Sequence, residues 1–173
     1  MSGEYRNRDC VTMHKGDTFP VEIDDALAAT GWMGGQGVNW APIAGDRFLV
    51  TKSDGVCVGF LLKGSEESGN GYTAISANQV FYKFATLCAG GWLICTKAFE
   101  RYTWASRTGG PPLVENTYTE NDSLVFSLNG FWTNEDEWTL AGDPRAPNNF
   151  YSGFVVQVPT AANDYYITIQ VKL

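Results

Sequence analysis

The sequence predicts an all-β fold, a single compact antiparallel β-barrel or jelly-roll-like sandwich of about eight strands. Three observations lead to this prediction. Aromatic residues make up 14% of the 173 residues and there are 19 glycines, a mixture that suits pleated surfaces joined by tight turns. Turn-forming residues recur between short apolar runs along most of the chain. Glu, Lys and Gln, which favour helices, never dominate a long window.

The predicted hairpins share one pattern, in which two strand-like runs flank a short turn. They are 47–51 with 56–62 turning at Ser53-Asp54-Gly55, 79–87 with 92–104 turning at Gly90-Gly91, and 123–128 with the return from Phe131 turning at Asn129-Gly130. Asn-Gly is the dipeptide preferred in a type I′ turn, so the third hairpin has the sharpest local signal.

The C-terminal end of the chain is predicted to be a strand built into the sheet. Residues 154–158 and 165–173 form a final strand pair, joined by 159–163. In the second strand Ile167, Ile169 and Val171 alternate with polar residues, which is the pattern of a half-buried strand.

The N-terminal part of the chain carries weaker signals. Residues 1–20 show no clear period and are predicted to form an irregular arm, which leaves 21–173 as a single β domain. At most one short helix is predicted: Asp24 can cap it, Leu27 lies four residues after Ile23, and Gly31 can end it.

Charge and hydropathy argue against two classes of partner. The formal net charge is −7 and the basic residues are scattered, so a nucleic-acid backbone would be repelled. The longest apolar stretch, 84–95, is interrupted by Thr86 and Gly90-Gly91 and is shorter than the roughly 20 residues of a membrane-spanning helix. The polar N-terminus MSGEYRNRDC lacks the apolar core of a signal peptide, so secretion is not expected.

The four cysteines, Cys10, Cys57, Cys88 and Cys95, favour reduced thiols over a metal site or a disulfide. Zinc sites need closely spaced ligand pairs, and the chain has no C-x-x-C. If Gly90-Gly91 is a two-residue turn, Cys88 and Cys95 are not opposite each other, so no bridge is expected between them. Cys57 and Cys95 are then small apolar packing groups.

No pattern in the sequence predicts a catalytic or cofactor site. The one histidine, His14, lies in the irregular N-terminal segment without partners for a triad. The glycine loop at 34–37 lacks the G-K-[ST] of a phosphate loop, so it is interpreted as a connection. The acidic run 135–137 is interpreted as a solvated loop, although a pair of its carboxylates is what glycoside hydrolysis would need.

Tryptophans are the candidate contact residues. Trp32, Trp40 and Trp138 lie in or near predicted loops, where an indole can stack on a sugar ring or insert into a protein partner. Core filling is the alternative role for each of them, and sequence alone leaves the two roles open.

The C-terminal third resembles tailed-bacteriophage virion proteins that decorate or stabilise the capsid. The resemblance lies in the run DSLVFSLNGFWT at 122–133, in GFVVQVPTAAN at 153–163 before the terminal strand, and in DGVCVG at 54–59. It covers about half of the chain and implies a non-enzymatic protein without cofactors that binds the major capsid protein, often as a homotrimer. It also implies assembly in the host cytoplasm and residence in the virion.

Three hypotheses of function therefore stand. The first is a capsid decoration protein that contacts the lattice through loops and the N-terminal arm. The second is a carbohydrate- or receptor-binding module of a phage fibre or tail, which uses the loop tryptophans. The third is a glycosidase that uses Glu135 or Glu137, and it has the least support.

Overall fold

The structure is a computed structural model, and it describes residues 10–41, 49–52, 57–64, 84–143 and 152–172. It is mostly β, with a closed five-stranded barrel, a six-stranded sheet and three short α-helices. The strands are β1 (Cys10–His14), β2 (Asp17–Ile23), β3 (Gly37–Trp40), β4 (Leu49–Lys52), β5 (Gly59–Leu61), β6 (Phe84–Ala89), β7 (Trp92–Thr96), β8 (Ser123–Phe126), β9 (Trp132–Thr133), β10 (Gly153–Gln157) and β11 (Ile167–Val171). The helices are α1 (Asp25–Thr30), α2 (Trp104–Gly109) and α3 (Glu137–Leu140).

The barrel closes in the strand order β2-β4-β3-β5-β6, with β6 pairing back onto β2. Only the β2–β4 pair is parallel among its described pairings. Alternate residues of each strand point inward, because side chains of a strand alternate between its two faces. Together with Leu27 of α1 and Trp32 of the following segment, their apolar side chains form one buried cluster: Val21, Ile23, Leu27, Trp32, Val38, Val50, Leu61, Ala85 and Leu87.

The six-stranded sheet has the order β1-β7-β11-β10-β8-β9 and covers a second buried cluster. Strand β11 lies between β7 and β10, so the C-terminal strand is built into the sheet as predicted. Ile167 and Ile169 are fully buried and Val171 is 1% exposed, as the alternating pattern predicted. Thr168 is also buried, at 4%, so this part of the strand is covered on both faces and is not half-buried. The 154–158 and 165–173 pair is confirmed as β10 with β11.

The first two predicted hairpins are wrong. Strand β4 pairs with β2 and β3, whereas β5 pairs with β3 and β6, so β3 lies between the two. Strand β6 belongs to the barrel and β7 to the sheet, so Gly90-Gly91 connects the two units. A turn signal marks where the chain changes direction, but long-range packing decides which strands pair. Residues 53–56 of the first predicted turn lie outside the described residues.

The third hairpin is confirmed in its pairing, with Val125 opposite Thr133 and Phe126 opposite Trp132. Its turn is not type I′, which needs positive φ at both central residues. Gly130 has a φ of 77°, and Asn129 is not among the non-glycine residues with positive φ. The amide of Gly130 donates instead to the carbonyl of Ser127, so the reversal is a longer turn.

The predicted helix is confirmed as α1, with Asp24 as its N-cap and Gly31 as its C-cap. Helices α2 and α3 exceed the single helix expected, and each begins at a side-chain cap, Thr103 and Asp136. The expected irregular arm is also too long, since strands β1 and β2 begin at Cys10 and Asp17. In the described part of the chain no helix has the length and apolar character to cross a membrane.

Candidate functional site

One end of the barrel carries an apolar depression of about 430 Å³, which we call the barrel mouth. Phe19 precedes Val21 by two residues on β2, and Trp40 follows Val38 by two residues on β3, so the inward-facing rows continue up to this rim. Phe19 is also the cross-strand partner of Leu87 on β6. The mouth is lined by Phe19, Pro20, Val21, Trp40, Val58, Leu87 and Ala89.

Exposure of two aromatic side chains distinguishes the rim of the mouth from its floor. Phe19 is 49% exposed and Trp40 is 42% exposed, while Val21 and Leu87 are each 2% exposed. Exposure of large aromatic side chains to water has a free-energy cost, and a contiguous exposed apolar surface is a common feature of interaction sites.

The lining determines what the barrel mouth can bind. All seven lining residues have apolar side chains, apart from the indole N–H of Trp40. A sugar is recognised by polar groups that pair with its hydroxyls as well as by a stacking ring, and pockets that hold polar ligands place such groups among their apolar walls. Apolar side chains of a protein partner are therefore the better match to this surface.

The three candidate tryptophans do not come together. Trp32 is 4% exposed within the barrel core, and its indole nitrogen donates to the carbonyl of Lys63 at 2.9 Å. Trp138 on α3 is 3% exposed. Of the three, only Trp40 presents its ring to solvent. Trp40 is therefore the one candidate of the three that can contact a sugar or a protein partner.

Phe19 and Pro20 were not singled out from the sequence, because they fall in the segment interpreted as irregular. One signal was present. In the run DTFPVEI at 17–23, Phe19, Val21 and Ile23 alternate with Thr18, Pro20 and Glu22, which predicts a strand with Phe19 on its apolar face. Pro20 within the run weakens that signal, since proline lacks a backbone donor.

The glycine loop at 34–37 is a buried junction between the barrel and the sheet. Its amides donate to protein carbonyls: Gly35 to Leu61 at 2.7 Å and Gly37 to Gly130 at 2.8 Å. A Cβ on Gly37 would lie 2.5 Å from the sulfur of Cys57, so only glycine fits this close approach. These two amides are already used and cannot hold a phosphate.

The interpretation of the acidic run 135–137 as a solvated loop is wrong for Glu137. Its side chain is fully buried, forms an ion pair with Arg107 of α2, and accepts a hydrogen bond from the amide of Leu128 at 3.1 Å. Arg107 also lies 3.5 Å from a carboxylate oxygen of Glu100. Burial raises the pKa of Glu137, against the lowering effects of the Leu128 amide and of Arg107.

The carboxylates of the glycosidase hypothesis thus have structural partners. Both oxygens of Glu137 accept from the protein, and Glu135 accepts from the amide of Trp104 at 2.7 Å. In the described ranges no group of three or more His, Cys, Asp or Glu side chains is placed to hold a metal ion. The side chain of His14 lies outside the description, although its backbone belongs to β1.

None of the four cysteines, all of which the structure describes, lies in a disulfide. Cys10 and Cys88 are buried, while Cys57 and Cys95 are half-buried, and the sulfur of Cys95 lies 3.3 Å from the hydroxyl oxygen of Thr168. Burial raises the pKa of Cys88 to about 12, which makes its thiolate scarce at neutral pH. The geometry thus suits packing rather than reaction.

Comparison of the chain with protein-family models, with curated proteins and with solved structures finds no match.

Proposed function

We propose that this chain is a non-enzymatic structural protein of a tailed-bacteriophage virion, of the capsid-decoration type. In this proposal the barrel mouth is the surface through which the protein docks onto other protein in the particle. The observation that carries the docking role is the pair of exposed aromatic side chains, Phe19 and Trp40, on a depression lined by apolar residues. The virion assignment comes from the resemblance of residues 122–133 and 153–163.

The energetics of the mouth suit a protein partner. A few fully desolvated side chains, often aromatic, dominate the binding energy of many interfaces, and truncation of one of these residues costs about 2 kcal/mol or more. Trp40 has the larger apolar surface of the two, and its rim position allows a partner to cover it without moving the barrel strands. Trp40 is therefore expected to be the main contact.

The remaining parts of the proposal follow from the same assignment. The major capsid protein is the proposed partner, and a homotrimer is the proposed state of the free protein. Assembly takes place in the host cytoplasm, which fits four cysteines without a disulfide because cytosolic proteins seldom hold disulfides. The structural use of Glu135 and Glu137 supports a non-enzymatic role.

Carbohydrate binding is the second candidate, and the exposure of Trp40 beside Phe19 is the observation in its favour. The lining residues of the mouth offer a sugar few polar partners. A glycan array with the wild-type protein and the Trp40→Ala variant tests this candidate. Signal that depends on Trp40 would support it, and no signal above background would remove it.

Co-sedimentation with empty capsid shells tests the main proposal. Wild-type protein should pellet with the shells, and Trp40→Ala should weaken binding by about 30-fold, the equivalent of about 2 kcal/mol. Leu140→Ala is the matched control, because Leu140 is a 56% exposed apolar residue that does not line the mouth. Absence of shell binding by the wild-type protein across salt concentrations would overturn the virion assignment.

A further inference from the structure

A second exposed apolar feature lies between α2 and Glu115, and we call residues Gly110–Val114 the proline loop. All five residues are exposed; Leu113 is 52% and Val114 is 54% exposed. Gly110, with a φ of 86°, ends α2, and a Cβ built on it would meet no atom within 4 Å. The side chains of the loop Gly-Pro-Pro-Leu-Val are therefore open to solvent.

The base of the proline loop is held by hydrogen bonds on both sides. Tyr102 and Glu115 form an antiparallel bridge, and the amide of Thr103 donates to the carbonyl of Val114 at 2.9 Å. The hydroxyl of Ser106 donates to the same carbonyl at 3.3 Å. A segment fixed in this way loses less conformational entropy when it binds than a mobile loop would, and this lowers one of the free-energy costs of association.

Charge determines which surfaces of two copies can meet. Each copy carries a net charge of −7, so two copies repel over most of their surfaces. The proline loop contains no charged residue, and the barrel mouth is lined by none. At the base of the loop Arg101 and Glu115 neutralise each other in an ion pair of 2.8 Å. Contact between loop and mouth would therefore bury no unpaired charge.

Shape gives the second argument. The mouth is a depression, and the exposed proline loop does not fill it within one molecule, because Phe19, Trp40 and Leu113 are all 42% or more exposed. The volume of the mouth, about 430 Å³, falls in the range of about 300–1,000 Å³ typical of ligand pockets, so the mouth has room for more than one side chain. The loop offers two apolar side chains in sequence, Pro112 and Leu113.

We propose that the proline loop of one copy docks into the barrel mouth of a second copy. This inference rests on the proposed function in taking the mouth as a protein-docking site, and it names a second copy of the chain as the occupant of the mouth when no capsid is present. The two surfaces differ, so the contact is head-to-tail: each copy offers one loop and one mouth, and repetition of the contact builds a ring or a filament.

Sedimentation velocity of mixed variants tests the inference. Leu113→Glu places a charge on the proline loop and leaves the barrel mouth unchanged. Phe19→Glu places a charge at the barrel mouth and leaves the proline loop unchanged. Each variant alone should lose self-association by about 100-fold or more, because a buried unpaired carboxylate is costly. An equimolar mixture should form a 1:1 heterodimer, since it contains one good loop and one good mouth. That result also shows that both variants are folded.

Leu140→Glu is the control, and it should associate like the wild type. A monomeric wild type at high protein concentration, or a mixture that sediments as monomers, would overturn the inference. Loss of association in only one of the two variants would overturn it as well.

The two proposals fail separately. If shells bind in a Trp40-dependent manner but the mixture stays monomeric, the mouth holds the capsid protein and the inference falls. If the mixture forms heterodimers but the wild-type protein does not bind capsid shells, the contact between copies is supported and the virion assignment is overturned.

Discussion

Arg107 on α2 and Glu137 on α3 form an ion pair in which the carboxylate is fully buried. The same carboxylate accepts from the amide of Leu128, and the guanidinium donates to the carbonyl of Tyr102 at 2.9 Å. One buried pair thus connects α2, α3 and the turn after β8. Because the proline loop follows α2 directly, the pair also fixes the element from which that loop projects.

Removal of the Glu137 side chain is expected to destabilise the protein strongly. Glu137→Ala leaves Arg107 in a mostly buried site with only Glu100 opposite its charge, and we expect a loss of about 3 kcal/mol in the free energy of unfolding. Urea denaturation measures this loss. Glu137→Gln should cost less, because its amide oxygen can still accept from the amide of Leu128.

The exposed ion pair provides the control for that prediction. Arg101 and Glu115 form a comparable pair, but their side chains are 66% and 67% exposed. Because solvent screens such pairs, Glu115→Gln should leave the urea midpoint close to that of the wild type. Equal destabilisation by Glu137→Ala and Glu115→Gln would show that burial of the pair is not what matters.

The glycine junction predicts a large difference between two glycine substitutions. Gly35 has a φ of 91° and its Cβ would overlap the side chain of Thr96, whereas a Cβ on Gly91 would meet nothing within 4 Å. Gly35→Ala should lower the free energy of unfolding by about 3 kcal/mol, from overpacking and backbone strain together. Gly91→Ala should leave the free energy of unfolding almost unchanged. Thermal unfolding of both variants measures the difference.

Cysteine labelling reports directly on burial. Cys88 is buried with a pKa of about 12, so it should resist alkylation by iodoacetamide at neutral pH and react only when the protein unfolds. Peptide mass spectrometry with and without urea measures the rate at each cysteine. Fast labelling of Cys88 in the folded protein would contradict its place in the core.

Protonation of Asp122 at low pH should lower the free energy of unfolding. Burial alone raises the pKa of its carboxyl, but hydrogen bonds from the side chain and amide of Thr119 and from Asn134 outweigh burial and lower the pKa. Since the folded pKa lies below the unfolded one, ionised Asp122 stabilises the protein above about pH 4, and this contribution is lost as the pH falls through the folded value.

An NMR titration of the Asp122 carboxyl measures this pKa, and Asn134→Ala should raise it by removal of one hydrogen bond. In urea denaturation as a function of pH, Asp122→Asn should lose less stability than the wild type between neutral pH and about pH 3. An unchanged slope in the variant would show that Asp122 does not contribute.

Local patterns in the sequence were enough for the elements whose signals are themselves local. The alternation of Ile167, Ile169 and Val171 predicted β11, the caps Asp24 and Gly31 predicted α1, and the pairing of β8 with β9 follows from the turn between them. In each case the residues that determine the structure are close together in the chain.

Long-range contacts decided what the sequence did not predict. Strand β3 lies between β4 and β5 although both follow it in the chain, and no turn residue encodes that order. Glu137 was predicted to be exposed because its neighbours are acidic. Its carboxylate is buried because Arg107, thirty residues earlier, forms an ion pair with it and offsets the cost of desolvation. Exposure of Trp40 and burial of Trp32 depend on closure of the barrel, which a single sequence does not reveal.

Hydroxyl-radical footprinting of Phe19 and Trp40 tests the central claim, that the barrel mouth is a protein-docking surface. The protein is oxidised free at low concentration and again in capsid particles that carry it, with Leu140 as the internal control. We predict that oxidation of Phe19 and Trp40 falls several-fold in the particle while that of Leu140 stays the same. Unchanged oxidation of Phe19 and Trp40 would contradict the claim.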